Sequence, residues 1–230
     1  MYLQNGRSHP LTKQIKMRIP ILTLLLIVQS IQQSYCQTYK PDLHDKAQLS
    51  ITNRGFKYIE EKKGIKIEEG QGSSPLIIVN NIIFSEGTIE FDAKGRNLMG
   101  QSFLGFAFHI QNDSTYDAIY FRPFNFSNPD TIRRWRAVQY ISLPNNDWDK
   151  LREKFPGKYE NKVNPVPGGD DWFHCKIMVA DKMISVFVNN ASNPSLVVNK
   201  LSDSSKGRIA LWVENVSDGS FANLVIKSKN

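Results

Sequence analysis

Ser102-Phe103-Leu104-Gly105-Phe106-Ala107-Phe108-His109-Ile110 is the stretch that decides the fold. Leu104, Phe106, Phe108 and Ile110 share one parity, and Phe103, Gly105, Ala107 and His109 share the other. Alternate side chains of an extended chain point to opposite faces, so this is a strand with its heavier parity in a core. Gly105 and Ala107 leave room above the other face, with His109 at one end. The same period of two recurs on both sides, predicting strands over 56–59, 64–68, 75–84, 87–93, 116–122, 134–143, 172–180, 183–189, 196–199, 208–214 and 221–227. Short strands spaced by turn residues indicate an all-β sandwich or barrel. No helical pattern alternates with them, which excludes a parallel βαβ sheet. The core expected between two antiparallel sheets is Leu104, Phe106, Phe108, Ile119, Phe121, Ile177, Val186, Val188, Ile209 and Leu211.

One segment departs from strand texture. In Asn146-Asp147-Trp148-Asp149-Lys150-Leu151-Arg152-Glu153-Lys154-Phe155, the residues Trp148, Leu151 and Phe155 fall on one side of a helix. Asn146 or Asp147 suits its N-cap, and Pro156-Gly157 stops it. This short helix sits in a long excursion, 144–171, of the length that either carries function or covers a sheet face.

The chain has 230 residues with 29 Lys and Arg against 22 Asp and Glu, a formal charge of +7. Residues 1–36 hold four of the cations and no acid, so residues 37–230 carry only +3. A nucleic-acid binder keeps a dense basic stripe in its folded part, so nucleic acid is not an expected partner. A basic stretch ending at Arg18 precedes the apolar run Ile19–Val28. That is the pattern of a signal peptide and too short to span a bilayer, so no integral membrane span is expected. Met17, directly before the run, is an alternative start to Met1. Cleavage after Cys36 gives a signal peptide over 1–36 and a single β-sandwich domain over 37–230; acylation of Cys36 itself is the alternative. Cys175 is then alone, and its parity with Phe173, Ile177 and Val179 predicts a buried, inert thiol.

The run Trp172-Phe173-His174-Cys175-Lys176-Ile177, with Ile184-Ser185-Val186-Phe187-Val188-Asn189-Asn190, Gly207-Arg208-Ile209-Ala210-Leu211-Trp212 and Phe221-Ala222-Asn223-Leu224, resembles the second half of a concanavalin A-like, laminin-G-type jelly roll. Tyr116-Asp117-Ala118-Ile119-Tyr120-Phe121-Arg122 and Val138-Gln139-Tyr140-Ile141-Ser142 are similar to the middle strands of the secreted bacterial 3-keto-disaccharide hydrolase-like (family-16-glycosidase-like) domains. The resemblance covers about 87–226. It implies a two-sheet jelly-roll sandwich and a carbohydrate context.

Sandwich glycosidases of this kind carry E-x-D-x-(x)-E, three acids on one sheet face. Here only Glu90 and Asp92 match, and Lys94 or Gly95 stands at the third place. They are catalytic candidates for a hydrolase, or else a solvated strand paired with neighbouring cations. The four His have no metal-ligand spacing, and no zinc motif occurs. Asp218-Gly219 after Glu214 offers oxygens to a structural calcium, against a plain β-turn.

A polar and aromatic sheet face is the stronger feature. With Ile119 and Phe121 inward, Tyr120 and Arg122 point out. With Trp135, Ile141 and Leu143 inward, Arg136 and Tyr140 point out too, although Val138 argues for the reverse on that strand. Provided these strands are neighbours, His109, Tyr120, Arg122, Arg136 and Tyr140 line one face, walled by Trp148. Flat rings for sugar C–H faces and forked donors for hydroxyls suit a glycan or oligosaccharide, and the arginines suit an acidic sugar. The expected function is a secreted carbohydrate-binding jelly roll. A glycoside hydrolase of the keto-disaccharide hydrolase-like type and a surface protein-interaction domain are the alternatives.

Overall fold

The computed structural model describes residues 1–2, 36–70, 72 and 74–229. The leader expected over 1–36 lies, apart from its ends, outside the described residues. The chain divides into two compact units, Met1–Gln33 and Ser34–Asn230, and the second holds everything that follows.

Its strands in chain order begin with β1 (Cys36–Tyr39), β2 (Leu49–Ser50), β3 (Phe56–Ile59), β4 (Gly64–Ile67) and β5 (Leu76–Phe84). Next come β6 (Glu86–Lys94), β7 (Leu104–Asn112), β8 (Thr115–Phe121), β9 (Val138–Leu143) and β10 (Glu160–Asn161). The last are β11 (Phe173–Ala180), β12 (Met183–Val188), β13 (Leu196–Asn199), β14 (Gly207–Val213) and β15 (Gly219–Lys229). Two short helices, α1 (Thr131–Arg134) and α2 (Trp148–Lys154), interrupt them. One sheet runs β13-β12-β11-β6-β15-β4-β3, with β1 on β15, and the other runs β10-β9-β8-β7-β14-β5-β2. The chain crosses between sheets at β1–β2, β2–β3, β4–β5, β5–β6, β6–β7, β10–β11, β13–β14 and β14–β15. This is a two-sheet antiparallel jelly-roll sandwich.

Period two builds the shared core. On β6, Ile89, Phe91 and Ala93 are buried while Glu90, Asp92 and Lys94 are not. Phe91 stacks across the gap on Phe106 at 5.5 Å, and Phe121 meets Phe173 edge-on at 4.9 Å. Every core residue expected from parity is fully buried. Each such side chain contributes about 1.5–3 kcal/mol through burial. Cys175 lies in this core, where burial pushes its thiol well up and leaves it inert.

Two local expectations need correction. The strand expected from 134 begins at Val138, because Asp130 caps α1 by accepting from the Ile132 amide at 2.8 Å. Trp135, expected inward, follows that helix and is half exposed. The helix expected around 146–155 is α2, with the Asp147 carboxylate accepting from Trp148 N at 2.7 Å. Its Leu151 is buried, whereas Trp148 and Phe155 stay exposed.

A candidate binding cleft

β7, β8 and β9 are consecutive neighbours in the second sheet, so their outward parities do share a face. Register fixes which residues those are. Gly105 pairs with Tyr120 on one side and with Trp212 on the other. A side chain at Gly105 would start 2.0 Å from the Ile119 carbonyl oxygen, so only glycine fits there. Over it the Tyr120 and Trp212 rings stack at 4.9 Å and 30°. Phe103 packs edge-on against Tyr120 and Phe124, extending this aromatic floor.

The floor lies in a cleft of about 600 Å³. Tyr120, Arg122, Arg136 and Trp148 line it, together with Phe103, Trp212 and Arg152. Helix α2 lines one side of this cleft, with Arg152 stacked 4.9 Å over the Trp148 ring one turn away. On the far side Arg54 donates to the carbonyls of Glu68, Val213, Glu214 and Ser217 at 2.6–2.8 Å, holding the 214–217 turn that borders the cleft.

Arg122 is nearly buried in the wall. Its guanidinium donates to Tyr120 Oη at 2.6 Å and to the Arg136 carbonyl at 2.9 Å, and it lies 4.8 Å from the Tyr120 ring centroid. Burial draws the Arg122 guanidinium below its usual range and pushes the Tyr120 phenol up, so Tyr120 remains a neutral hydroxyl. Behind them Glu160 on β10 binds Arg152 through both oxygens, at 3.0 and 2.6 Å.

His109 and Tyr140 belong elsewhere. Tyr140 pairs with inward-facing Ile119, so the β9 parity is the reverse one that Val138 indicated. Gln139, Ile141 and Leu143 carry the outward parity instead, and Ile141 and Leu143 line the cleft. His109 has φ 52° at a bulge in β7, which turns its ring from the outward parity onto Asp117 inside the sandwich. There Asp117 accepts from Tyr140 Oη at 2.7 Å and Ser202 Oγ at 2.5 Å, and lies 3.1 Å from His109 Nδ1. His109 Nε2 meets the Ser85 carbonyl at 2.7 Å and is therefore the donor of that bond. Both residues are structural parts of a buried polar network.

Glu90 and Asp92 sit on the outer face of the other sheet. Asp92 accepts from His174 Nδ1 at 2.9 Å and from Asn223 Nδ2 at 2.7 Å, while Glu90 faces Lys227 at 3.5 Å. They are the solvated, cation-paired strand of the second sequence reading and lie outside the cleft. Asp218, offered to calcium, is ion-paired with Lys66 at 2.9 Å and Arg96 at 2.6 Å. Among the described residues no group of three or more His, Cys, Asp or Glu is placed to hold a metal. Sequence reasoning missed Trp212, Arg152 and Glu160. Arg152 was within reach, since it stands four residues after Trp148 on the same helix face.

No protein-family model and no curated protein matches this chain. Solved structures do match, and they show its fold: a concanavalin A-like jelly-roll sandwich. The carbohydrate-binding module CBM66 from Bacillus subtilis is similar with a TM-score of 0.54 and 14% identity, over 77% of this chain and 93% of that one. A galectin-like-fold protein from Bacillus subtilis gives 0.53 and 11%, over 85% and 97%. A prokaryotic β-1,3-1,4-glucanase (lichenase) from a mouse hindgut metagenome gives 0.52 and 13%, over 85% and 99%. At these identities the likeness is one of fold.

Proposed function

We propose that this chain is an exported carbohydrate-binding jelly roll whose glycan site is the cleft over β7, β8 and β14. The observation that carries the reading is the Tyr120–Trp212 stack, laid over Gly105 with Phe103 beside it and arginines around it. A sugar ring presents apolar C–H faces to such rings and equatorial hydroxyls to the donors at their edge. The kind of activity named for the CBM66 module and the lichenase supports a carbohydrate ligand here. Export is supported by the basic stretch and apolar run of the leader, and no helix among the described residues is long and apolar enough to cross a membrane. Mass spectrometry of the exported protein is expected to find the mature terminus at Gln37.

Binding is favoured over hydrolysis because Glu90 and Asp92 lie on the opposite sheet. Asp147 and Glu214 do line the cleft, but each is committed locally, accepting from the Trp148 and Val216 amides at 2.7 and 3.0 Å. The test is a glycan array on the mature chain, followed by titration of the hits and a hydrolysis screen. Trp148→Ala removes a half-exposed ring from the rim and is expected to weaken binding about three- to tenfold, the scale of one ring contact. Its melting temperature should stay unchanged. Turnover of a hit, or undiminished binding by the variant, overturns the reading.

A further inference from the structure

Four arginines line the cleft, Arg122, Arg133, Arg136 and Arg152. Three of them share a single carboxylate, Glu160, whose side chain is only 8% exposed. Arg152 occupies both its oxygens, while Arg136 approaches only to 3.8 Å and Arg122 to 4.0 Å. Arg133 is paired outside this group, with Asp130 at 3.6 Å. Tyr120 adds no negative charge, because burial keeps its phenol protonated. Within this cluster one negative charge serves three positive ones, beside the aromatic floor; with Asp147 and Glu214, which accept from the Trp148 and Val216 amides, the four arginines still outnumber the three carboxylates.

This imbalance matters because the centre of the cluster, Arg122 and Glu160, is nearly buried. Arg122 is nearly buried, and burial destabilises its guanidinium more than Tyr120 and Glu160 restore it, with the Arg152 and Arg136 charges adding to the loss. An anion entering here meets a field less screened than at an open surface. Arg136 can deliver the contact. Its side chain is 38% exposed, its long approach to Glu160 leaves the forked donors free to turn, and such a fork matches carboxylate and sulfate geometry.

We infer that the cleft selects glycans bearing an acidic group, a carboxylate or a sulfate ester, seated on Arg136 in the field of Arg122 while the adjoining ring lies on Tyr120 and Trp212. The inference rests on the carbohydrate reading above and names the substrate class of that same site.

The experiment is titration of the mature chain with a galacturonic acid tetramer and its carboxyl-reduced counterpart, and with a sulfated galactan tetramer and its desulfated counterpart. At least one acidic member should bind about tenfold or more tighter than its neutral partner, with the difference shrinking as salt rises. Which pair shows the difference separates uronate from sulfate. Arg136→Gln should bring the acidic ligand down to the neutral one's affinity at an unchanged melting temperature. Glu90→Gln, on the opposite sheet, should leave the difference intact. Equal affinity within both pairs, absence of binding by all acidic members while neutral glycans bind, or a difference that survives Arg136→Gln overturns the inference and leaves the carbohydrate reading standing. Absence of binding by every glycan, acidic or neutral, overturns both.

Discussion

The two sheets share a core but treat their outer faces in opposite ways. On the β6–β11 pair, outward Asp92 stands directly opposite His174 and outward Glu90 opposite Lys176, a wet ladder of unlike charges. On β8 every residue from Tyr116 to Phe121 is buried, and on β9 every residue from Val138 to Ser142. The 123–136 and 144–171 segments close over that second face, and the gap they leave above Gly105 is the cleft. A sheet face left to water needs only charge pairs. One that is covered can hold guanidinium groups and aromatic rings in fixed, desolvated positions, which is what a binding site requires.

The sharpest way to break this comparison is to neutralise one carboxylate on each sheet. Glu160→Gln removes the counter-charge of Arg152 in a nearly buried cluster and is expected to cost about 3–5 kcal/mol. Glu90→Gln touches a pair held only at 3.5 Å on the wet face, and is expected to cost roughly 0.2–1 kcal/mol. Urea denaturation of both variants gives the two numbers. Equal losses would mean that the covering segments do not desolvate the face beneath them.

Tyr140→Phe tests the inner end of the covered sheet. The Tyr140 hydroxyl donates to Asp117 and accepts from the Leu201 amide at 3.0 Å, so its loss leaves a buried carboxylate and a partly buried N–H each short of a partner. The expected cost is about 1–3 kcal/mol, with glycan affinity unchanged if Tyr140 lies outside the site. A variant of wild-type stability with weakened binding would return Tyr140 to the ligand face.

That same residue marks where the sequence stops being readable. On β6 and β11 apolar and polar residues alternate, so their orientation and the fold class could be read from parity alone. On β9, Val138-Gln139-Tyr140-Ile141-Ser142 is buried at every position, and both parities look alike. Only the pairing of Tyr140 with Ile119 settles which way they point. Trp212 escaped for another reason: the parity of Ile209 and Leu211 turns it outward, but only the pairing of β14 with β7 sets it beside Tyr120. His109 was lost to a bulge, since one extra residue inverts the parity after it. Glu160 had no local signal at all. Its two-residue strand exists only because Gln139 pairs with it across the excursion. Tyr120, Arg122, Arg136 and Trp148 were legible as cleft residues; the charge balance depends on a long-range pairing and was not.

The smallest expected effect belongs to the wet sheet and is read through pH. His174 donates to Asp92, and this bond, with the charges of Asp92 and Glu90, raises the imidazole above its ordinary 6.5 despite partial burial and Lys176. Burial alone would raise Asp92, but the bonds from His174 and Asn223, aided by the His174 and Lys62 charges, hold it below its ordinary 3.8. A His whose folded pKa is raised stabilises fully below the unfolded value of 6.5, and that contribution disappears as pH rises through the folded value. A depressed Asp does the reverse, stabilising above 3.8 and losing its contribution as pH falls through its lower folded value. The pair therefore contributes most between the two, and on the alkaline side the loss begins only above 6.5. The wild type should exceed His174→Gln by roughly 0.2–1 kcal/mol near pH 5.5, and the margin should close by about pH 9, while glycan affinity stays the same in both proteins. Denaturation midpoints of the two proteins across that range measure it. A margin that holds steady with pH would show that His174 acts by packing on its strand, and the charge ladder would cease to distinguish the wet sheet from the covered one.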